Sequence, residues 1–344
     1  MVTICRCRTD DVPDVLAFID EHWKRGHIFV HDRALFDWQY RRRDRPGEYA
    51  IAIARRDTDR ALLGMLGFIP TSHFDASLAS DNAIWLALWT VRSDSAGPLG
   101  LRLLSDVTSG DSHVSVGVVG FQEGITSIYK ALKFEVGELT HYVLPNPNVT
   151  QFEIASFERP PVRAVQDLGL TATHIDERNF ERTVDGFDFN AGHYIPRKSA
   201  EYVLARYLRH PIYTYRVLAL RRGDATLGVL VLRVATHGHR CALRVIDYIG
   251  PPDTVPGIGA VVLAQLRHFD AEYADVHNHG LDPALFEAAG FTAVDPSGRD
   301  IVPDHFEPFE RRNAPIRFAL KTDRPAVLFK GDGDQDRPNQ RPTP

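Results

Sequence analysis

The chain is short of cysteine, methionine and long apolar runs, holding 3 cysteines and 2 methionines in 344 residues. Cys5 and Cys7 flank a single arginine and Cys241 stands alone, a spacing that suits neither a zinc knuckle nor a redox CxxC pair. All three read as reduced packing residues, as expected in a cytoplasmic protein. No stretch approaches the ~18 consecutive apolar residues of a membrane span. The opening "MVTICRCRTDD" has no signal-peptide core either. Membrane insertion is therefore not expected. A net charge of −5 leaves no overall basic field for nucleic acid or anionic lipid. The basic run "RRRDR" at 41–45 is interrupted by aspartate and reads as a solvated loop or a phosphate-facing patch.

What remains is an ordinary globular composition, 44% hydrophobic and 25% charged. The length suits about two domains. "VTICRCR" reads as an edge strand, with Thr3, Cys5 and Cys7 on one face. "TDDVPDVLAFIDEHW" follows as a helix capped by Thr9 or Asp10. "EYAIAIARR", "ALLGMLGFIP" and "NAIWLALWTV" are strands, and "AGPLGLRLLSDV" is a helix opened by glycine. "HVSVGVVGF" is another strand, "SIYKALKF" a helix, and "ELTHYVLPN" a strand that would close the first half. In that second helix Ile128, Ala131 and Leu132 form the apolar stripe, and Tyr129 sits beside it, able to reach a rim or a cleft.

A repeat is visible. "FDWQYRRRDRPGEYAIAIARRDTDRALLGMLGF" (36–68) parallels "VLARYLRHPIYTYRVLALRRGDATLGVLVLR" (203–233), and "IYKALKFEVGE" parallels "LFEAAGFTAVD". One fold used twice, offset by about 160–170 residues, accounts for this. The expected domains are 1–150 and 160–325, joined by a Pro-rich linker. A polar, Pro-rich tail follows over 326–344, most of it expected to be an ordered-on-contact or disordered extension.

The order of strands and helices, with a Tyr-x-x-x-x-Phe spacing in the helix after the fourth inner strand, resembles the GNAT acyltransferase fold. The expected fold class is thus α/β (α+β): two GNAT-like domains in tandem, each a mixed, centrally splayed sheet flanked by helices. As a tandem it is similar to mycothiol synthase and the peptidoglycan-bridge aminoacyltransferases. It is closer still to two-domain GNAT proteins associated with bacterial surface-polysaccharide (LPS, O-antigen) biosynthesis, on "FIDEHW", "FDWQY", "RYLRHPIYTY" and "FKGDGDQDRPN".

The resemblance implies an N-acyltransferase moving an acyl group, acetyl above all, from CoA to the amino group of a nucleotide-linked amino sugar. It implies acetyl-CoA as co-substrate, no metal, no nucleic-acid partner and a possible homodimer. Tyr129 would protonate the leaving thiolate. Trp89, Val91, Gly97, Leu99, Gly100 and Leu101 would hold pantetheine and pyrophosphate. The donor loop departs from the family pattern in both halves. The first keeps Gly97 and Gly100 but has Asp94 where a Gln or Arg belongs. The second keeps Gly257 and Gly259 but has Thr254 at that place, and Phe286 in place of the tyrosine. The first half is favoured because it alone carries the proton donor. The alternative is a catalytically degenerate GNAT-fold protein that binds a nucleotide sugar or glycan.

For the acceptor, "HWKRGHIFVHD" offers His27 and His31, either over the acceptor site or in a solvated loop. Trp38 and Tyr40 are either core or a stacking platform. Arg209, in "RYLRHPIYTY", is either a phosphate ligand or a base at a helix C-terminus. Glu123 and His73 are the candidates for the base that deprotonates the amine. In the tail, Asp332, Asp334 and Asp336 have calcium-loop spacing without the closing glutamate. That segment is expected to pack over a site or an interface.

Overall fold

A computed structural model describes residues 1–95, 97–110 and 112–339. In the first half, β1 (Val2–Arg8), α1 (Val12–His22), α2 (Ile28–His31) and α3 (Arg33–Tyr40) lead to β2 (Glu48–Arg56), β3 (Leu62–Pro70) and β4 (Ala83–Val91). Then come α4 (Leu99–Gly110), β5 (Ser115–Val119), α5 (Thr126–Ala131) and β6 (Glu135–Glu138). After β7 (Thr140–Pro145) the pattern repeats: β8 (Thr171–Ile175), α6 (Phe180–Thr183), α7 (Ala200–Val203), β9 (Tyr215–Arg222), β10 (Ala225–His237) and β11 (Arg240–Ile249). Next are α8 (Ile258–Phe269), β12 (Tyr273–His279), α9 (Pro283–Ala288) and β13 (Thr292–Ala293). A small hairpin of β14 (His305–Phe306) and β15 (Phe309–Glu310) precedes β16 (Arg317–Lys321) and β17 (Leu328–Phe329).

The two sheets exchange strands. The first has the order β1-β2-β3-β4-β5-β16-β6, and the second runs β13-β7-β12-β11-β10-β9-β8 with β17 also on β12. β7, expected to close the first half, instead pairs antiparallel with β12 from Tyr273↔Pro145 to Asn278↔Thr140. β16, within the expected second domain, inserts between β5 and β6. The reason lies in burial: Tyr142 and Leu144 pack in one apolar cluster of the second half, and Val143 in another on the opposite face. β7 therefore needs cover on both sides, which an inner strand of the second sheet supplies. The largest core cluster also crosses the halves, uniting Phe29, Tyr40 and Trp85 with Tyr207, Val231 and Ile246.

Two other expectations change. Cys5 is exposed, whereas Cys7 is fully buried, with its thiol pushed up to about 12 by burial. The described part of the tail, up to residue 339, is not a loose extension: residues 327–334 are buried or nearly so, and they form a strap across both halves, while 340–344 lie outside the described residues. Phe329 pairs with Asn278 at the edge of β12, and the Gly331 amide donates to the Ile246 carbonyl at 2.9 Å. Asp332 then meets Lys198 at 3.1 Å, and Lys198 also holds Asp247 at 2.6 Å. All three are buried. Burial pushes Asp332 up to about 6, against the pull of Lys198 and helped by the charge of Asp247. Asp336 closes the strap on Arg233, with contacts of 2.6 and 3.1 Å, and accepts from the Tyr215 hydroxyl at 2.9 Å.

Lys198 thus neutralises two buried carboxylates. Lys198→Met strands both and is expected to cost about 3–5 kcal/mol, read as a lower urea midpoint. Asp332→Asn keeps the Lys198–Asp247 pair and removes the carboxylate that resists ionisation, so it should cost far less. A Lys198→Met protein as stable as the parent contradicts this account of the strap.

Candidate active site

Each half contains one parallel strand pair, and each pair is short. β4 and β5 are in register only over Ala83↔Ser115, Ile84↔Val116 and Trp85↔Gly117. Beyond Trp85 they part. β4 also carries an extra residue there, since Phe68 faces Leu86 while Leu66 faces Trp89. Such a bulge turns backbone groups away from the ladder and toward the opening. β11 and β12 behave alike, pairing over Leu243↔Ala274, Arg244↔Asp275 and Val245↔Val276, with an irregularity between Val231 and Leu232 in the facing β10.

The two openings differ in what fills them. In the second half the strap runs through the gap between β11 and β12. The start of α8 is also covered: a Cβ on Gly257 would meet Leu170 at 2.5 Å, and one on Gly259 would overlap the Ala289 carbonyl. Phe286, at the position matching Tyr129, is buried and stacked on Tyr142 at 4.6 Å. In the first half the corresponding places are open. Gly97 has φ +114° and nothing within 4 Å of a Cβ, and the atoms nearest to a Cβ on Gly100 belong to the Trp89 ring, from 3.3 Å.

The first opening leads into a cavity of about 840 Å³ between the halves. One wall is β4 from Leu86 to Val91, with Gly97, Gly100, Leu101, Phe121 and Tyr129. Tyr129 is packed by Trp89, Phe121 and Phe134 at ring separations of 6.2, 5.0 and 5.3 Å. Burial pushes its phenol well above the usual range, so it keeps its proton at neutral pH. The opposite wall is polar and comes from the second half and the strap. There Arg244 grips Asp275 (2.7 Å) and Asp304 (2.5 Å), and Lys330 meets Asp304 at 2.5 Å. The Tyr213 hydroxyl donates to Glu307 at 2.9 Å.

The expected site residues divide clearly. Tyr129, Trp89, Val91, Gly97, Gly100 and Leu101 come together at the cavity, whereas Leu99 turns into the core. Glu123 points outward, its side chain 81% exposed and paired with Arg317 at 3.2 Å. His73 is buried with Nε2 against the Trp38 carbonyl at 2.8 Å, and burial lowers it to about 4. His27 caps α2, its Nδ1 accepting from the Phe29 amide at 3.3 Å, and burial lowers it to about 3. His31 is exposed. The Trp38 indole donates to the Ala205 carbonyl at 3.0 Å, which makes it a joint between the halves rather than a platform. Tyr40 is core, and Arg209 is taken by Glu177 and Glu201 at the surface. None of these seven lines the cavity.

The polar wall was not foreseen residue by residue; the segment "FKGDGDQDRPN", expected to pack over a site or an interface, lies along the cavity between the halves. One His/Asp group outside the β4 wall, His141, Asp275 and His277, has ligand atoms within 4.8 Å of one another. Its imidazoles stack nearly parallel at 3.9 Å and 13°, so their lone pairs run side by side instead of converging. Arg244 already holds both oxygens of Asp275. That arrangement suits a buried ion pair better than a metal.

Similar solved structures share this architecture. A GCN5-related N-acetyltransferase from Anabaena variabilis matches with a TM-score of 0.54 at 10% identity, over 93% of this chain and 72% of that one. The fold is the GNAT fold, used twice. Another GCN5-related N-acetyltransferase, from Kribbella flavida, matches with a TM-score of 0.54 at 12% identity over 94% and 72%. A conserved protein of unknown function from Enterococcus faecalis matches with 0.55 at 8% over 92% and 72%. No family model and no curated protein matches the chain in sequence. Among the described residues, no helix of this tandem GNAT chain is long and apolar enough to cross a membrane.

The buried histidines make the GNAT tandem sensitive to acid. A histidine whose folded value lies below its unfolded one is neutral in the fold, and stability falls as pH drops below the unfolded value. His27 and His73 should each cost about 2 kcal/mol by pH 5, so the melting temperature should fall between pH 7 and 5. His73→Gln should flatten that slope; an unchanged slope contradicts the assignment.

Proposed function

We propose that the chain is an acyl-CoA-dependent N-acyltransferase with a single donor site in its first half. The carrying observation is the contrast between the two clefts: one open with a buried tyrosine on its wall, the other filled by the chain's own strap. In this reading the acyl-pantetheine arm lies along Leu86–Val91, where the bulge turns backbone amides toward the thioester carbonyl. The pyrophosphate meets the N-terminus of α4, where Gly97 and Gly100 leave room for close approach. Tyr129, held protonated by burial, gives its proton to the CoA thiolate as the C–S bond breaks.

The acceptor enters from the side of the polar wall. Its cations and acids suit a polar, charged amine better than a lipid, and a nucleotide-linked amino sugar on the way to a surface glycan is the substrate we favour. A second reading, a GNAT-fold binding protein for such a sugar, draws on the donor loop. Asp94 sits there paired with Arg92 at 2.7 Å, setting a carboxylate near the phosphate approach.

Titration calorimetry with acetyl-CoA separates the two readings. Micromolar binding at one molecule per chain is expected, abolished by Gly100→Phe. Tyr129→Phe should leave that affinity unchanged and lower turnover about 10²-fold. Absence of binding favours the second reading, and unchanged turnover in Tyr129→Phe removes the tyrosine from the mechanism.

A further inference from the structure

Four carboxylates line the cavity among the described residues: Asp304, Glu307, Asp334 and Asp336. Three of them are each held by two partners. Asp304 is clasped by Arg244 and Lys330, each at 2.5 Å. Asp336 is held by Arg233 and by the Tyr215 hydroxyl. Glu307 accepts from the Tyr213 hydroxyl with one oxygen, and from the Asn339 amide with the other at 3.1 Å. Asp334 differs. Its one side-chain partner among the described residues is Arg337, at 3.4 Å through Oδ2, and its side chain is 16% exposed toward the cavity.

The strap also carries Asp334 to a particular place. On one side of it, a Cβ on Gly333 would lie 3.7 Å from Trp85, the last β4 residue paired with β5. On the other side, a Cβ on Gly120 would overlap the side chain of Gln335. Gly120 follows directly on β5. The strap therefore passes beside the point where β4 and β5 separate and lines the first opening without filling it. Asp334 lies there, facing the same cavity as Leu88, Trp89 and Tyr129. The tail of the second half supplies a carboxylate that the first half lacks, since Glu123 faces solvent.

We propose that Asp334 is the group that binds the acceptor's ammonium and takes its proton, a role that rests on the acyltransferase reading above. The ammonium gives one proton to the Asp334 carboxylate, and the freed amine lone pair forms the N–C bond at the thioester carbonyl. The tetrahedral intermediate collapses, the C–S bond breaks, and the thiolate takes the proton of Tyr129. The nitrogen's surplus proton restores the phenol, and Asp334 returns its own proton to solvent. Amide and free thiol are the products.

The test is thiol release from acetyl-CoA with two probe amines: glucosamine, which is largely protonated near neutral pH, and hydroxylamine, which is not. Acetyl-CoA affinity is measured alongside by calorimetry, and folding by thermal melting. In Asp334→Asn the glucosamine rate should fall about 10²-fold, the hydroxylamine rate should stay close to the parent's, and acetyl-CoA affinity should not change. Asp334→Glu should recover part of the glucosamine rate. If Asp334→Asn does not melt cooperatively, Asp334→Ser carries the same comparison. An unchanged glucosamine rate overturns the proposal, as does an equal loss with both amines, which marks a merely structural role. A parent protein that binds acetyl-CoA but acylates neither amine overturns it too. Failure to bind acetyl-CoA at all is a different result: it removes the acyltransferase reading and Asp334's role with it.

Discussion

The ion pair between Arg233 and Asp336 ties the end of the chain to the middle of the second sheet, and much of the molecule's asymmetry follows from it. Two GNAT units built on the same plan would present two equivalent clefts. The strap removes that equivalence. Its backbone completes hydrogen bonds that β11 and β12 leave open as they part, and its acids neutralise Lys198 and Arg233. Buried charges of this kind are tolerated only when paired, so the cations of the second half and the acids of the strap depend on each other. A cleft occupied in this way has no room for a second ligand, and the first is left as the open one.

Exchange of β7 and β16 works in the same direction. Each sheet is completed by a strand from the other half's stretch of chain, and the main apolar cluster runs through both. The halves then cannot part without breaking sheet hydrogen bonds, which keeps the polar wall opposite the β4 bulge. The cavity is a product of that fixed relation: its apolar side belongs to one unit and its charged side to the other and to the strap.

Much of this was legible before the structure. Local periodicity and turn chemistry located the strands and helices of the first unit, the repeat disclosed a common plan with the second, and the residues around Trp89, Gly97 and Tyr129 gather at one opening. Strand partnership was not legible, because alternation in "ELTHYVLPN" reports which faces are buried and not which sheet covers them. The rings singled out as acceptor ligands, His27, Trp38 and Tyr40, and the candidate base His73 pack inside the molecule instead, since buried and ligand-facing rings share one sequence signature. Conversely, the polar wall hid in a segment whose composition reads as unfolded. Asp332, Asp334 and Asp336 look alike in sequence. Only their partners, Lys198, Arg337 and Arg233, distinguish a plug from an open carboxylate.

The central claim is that the two clefts are unequal, one open to a donor and one closed by the strap. Hydrogen–deuterium exchange with and without acetyl-CoA tests it most directly. The account predicts added protection over residues 86–91, 97–101 and 120–129, with exchange over 243–249 and 254–260 unchanged. Protection appearing instead in the second half, or equally in both, would contradict it.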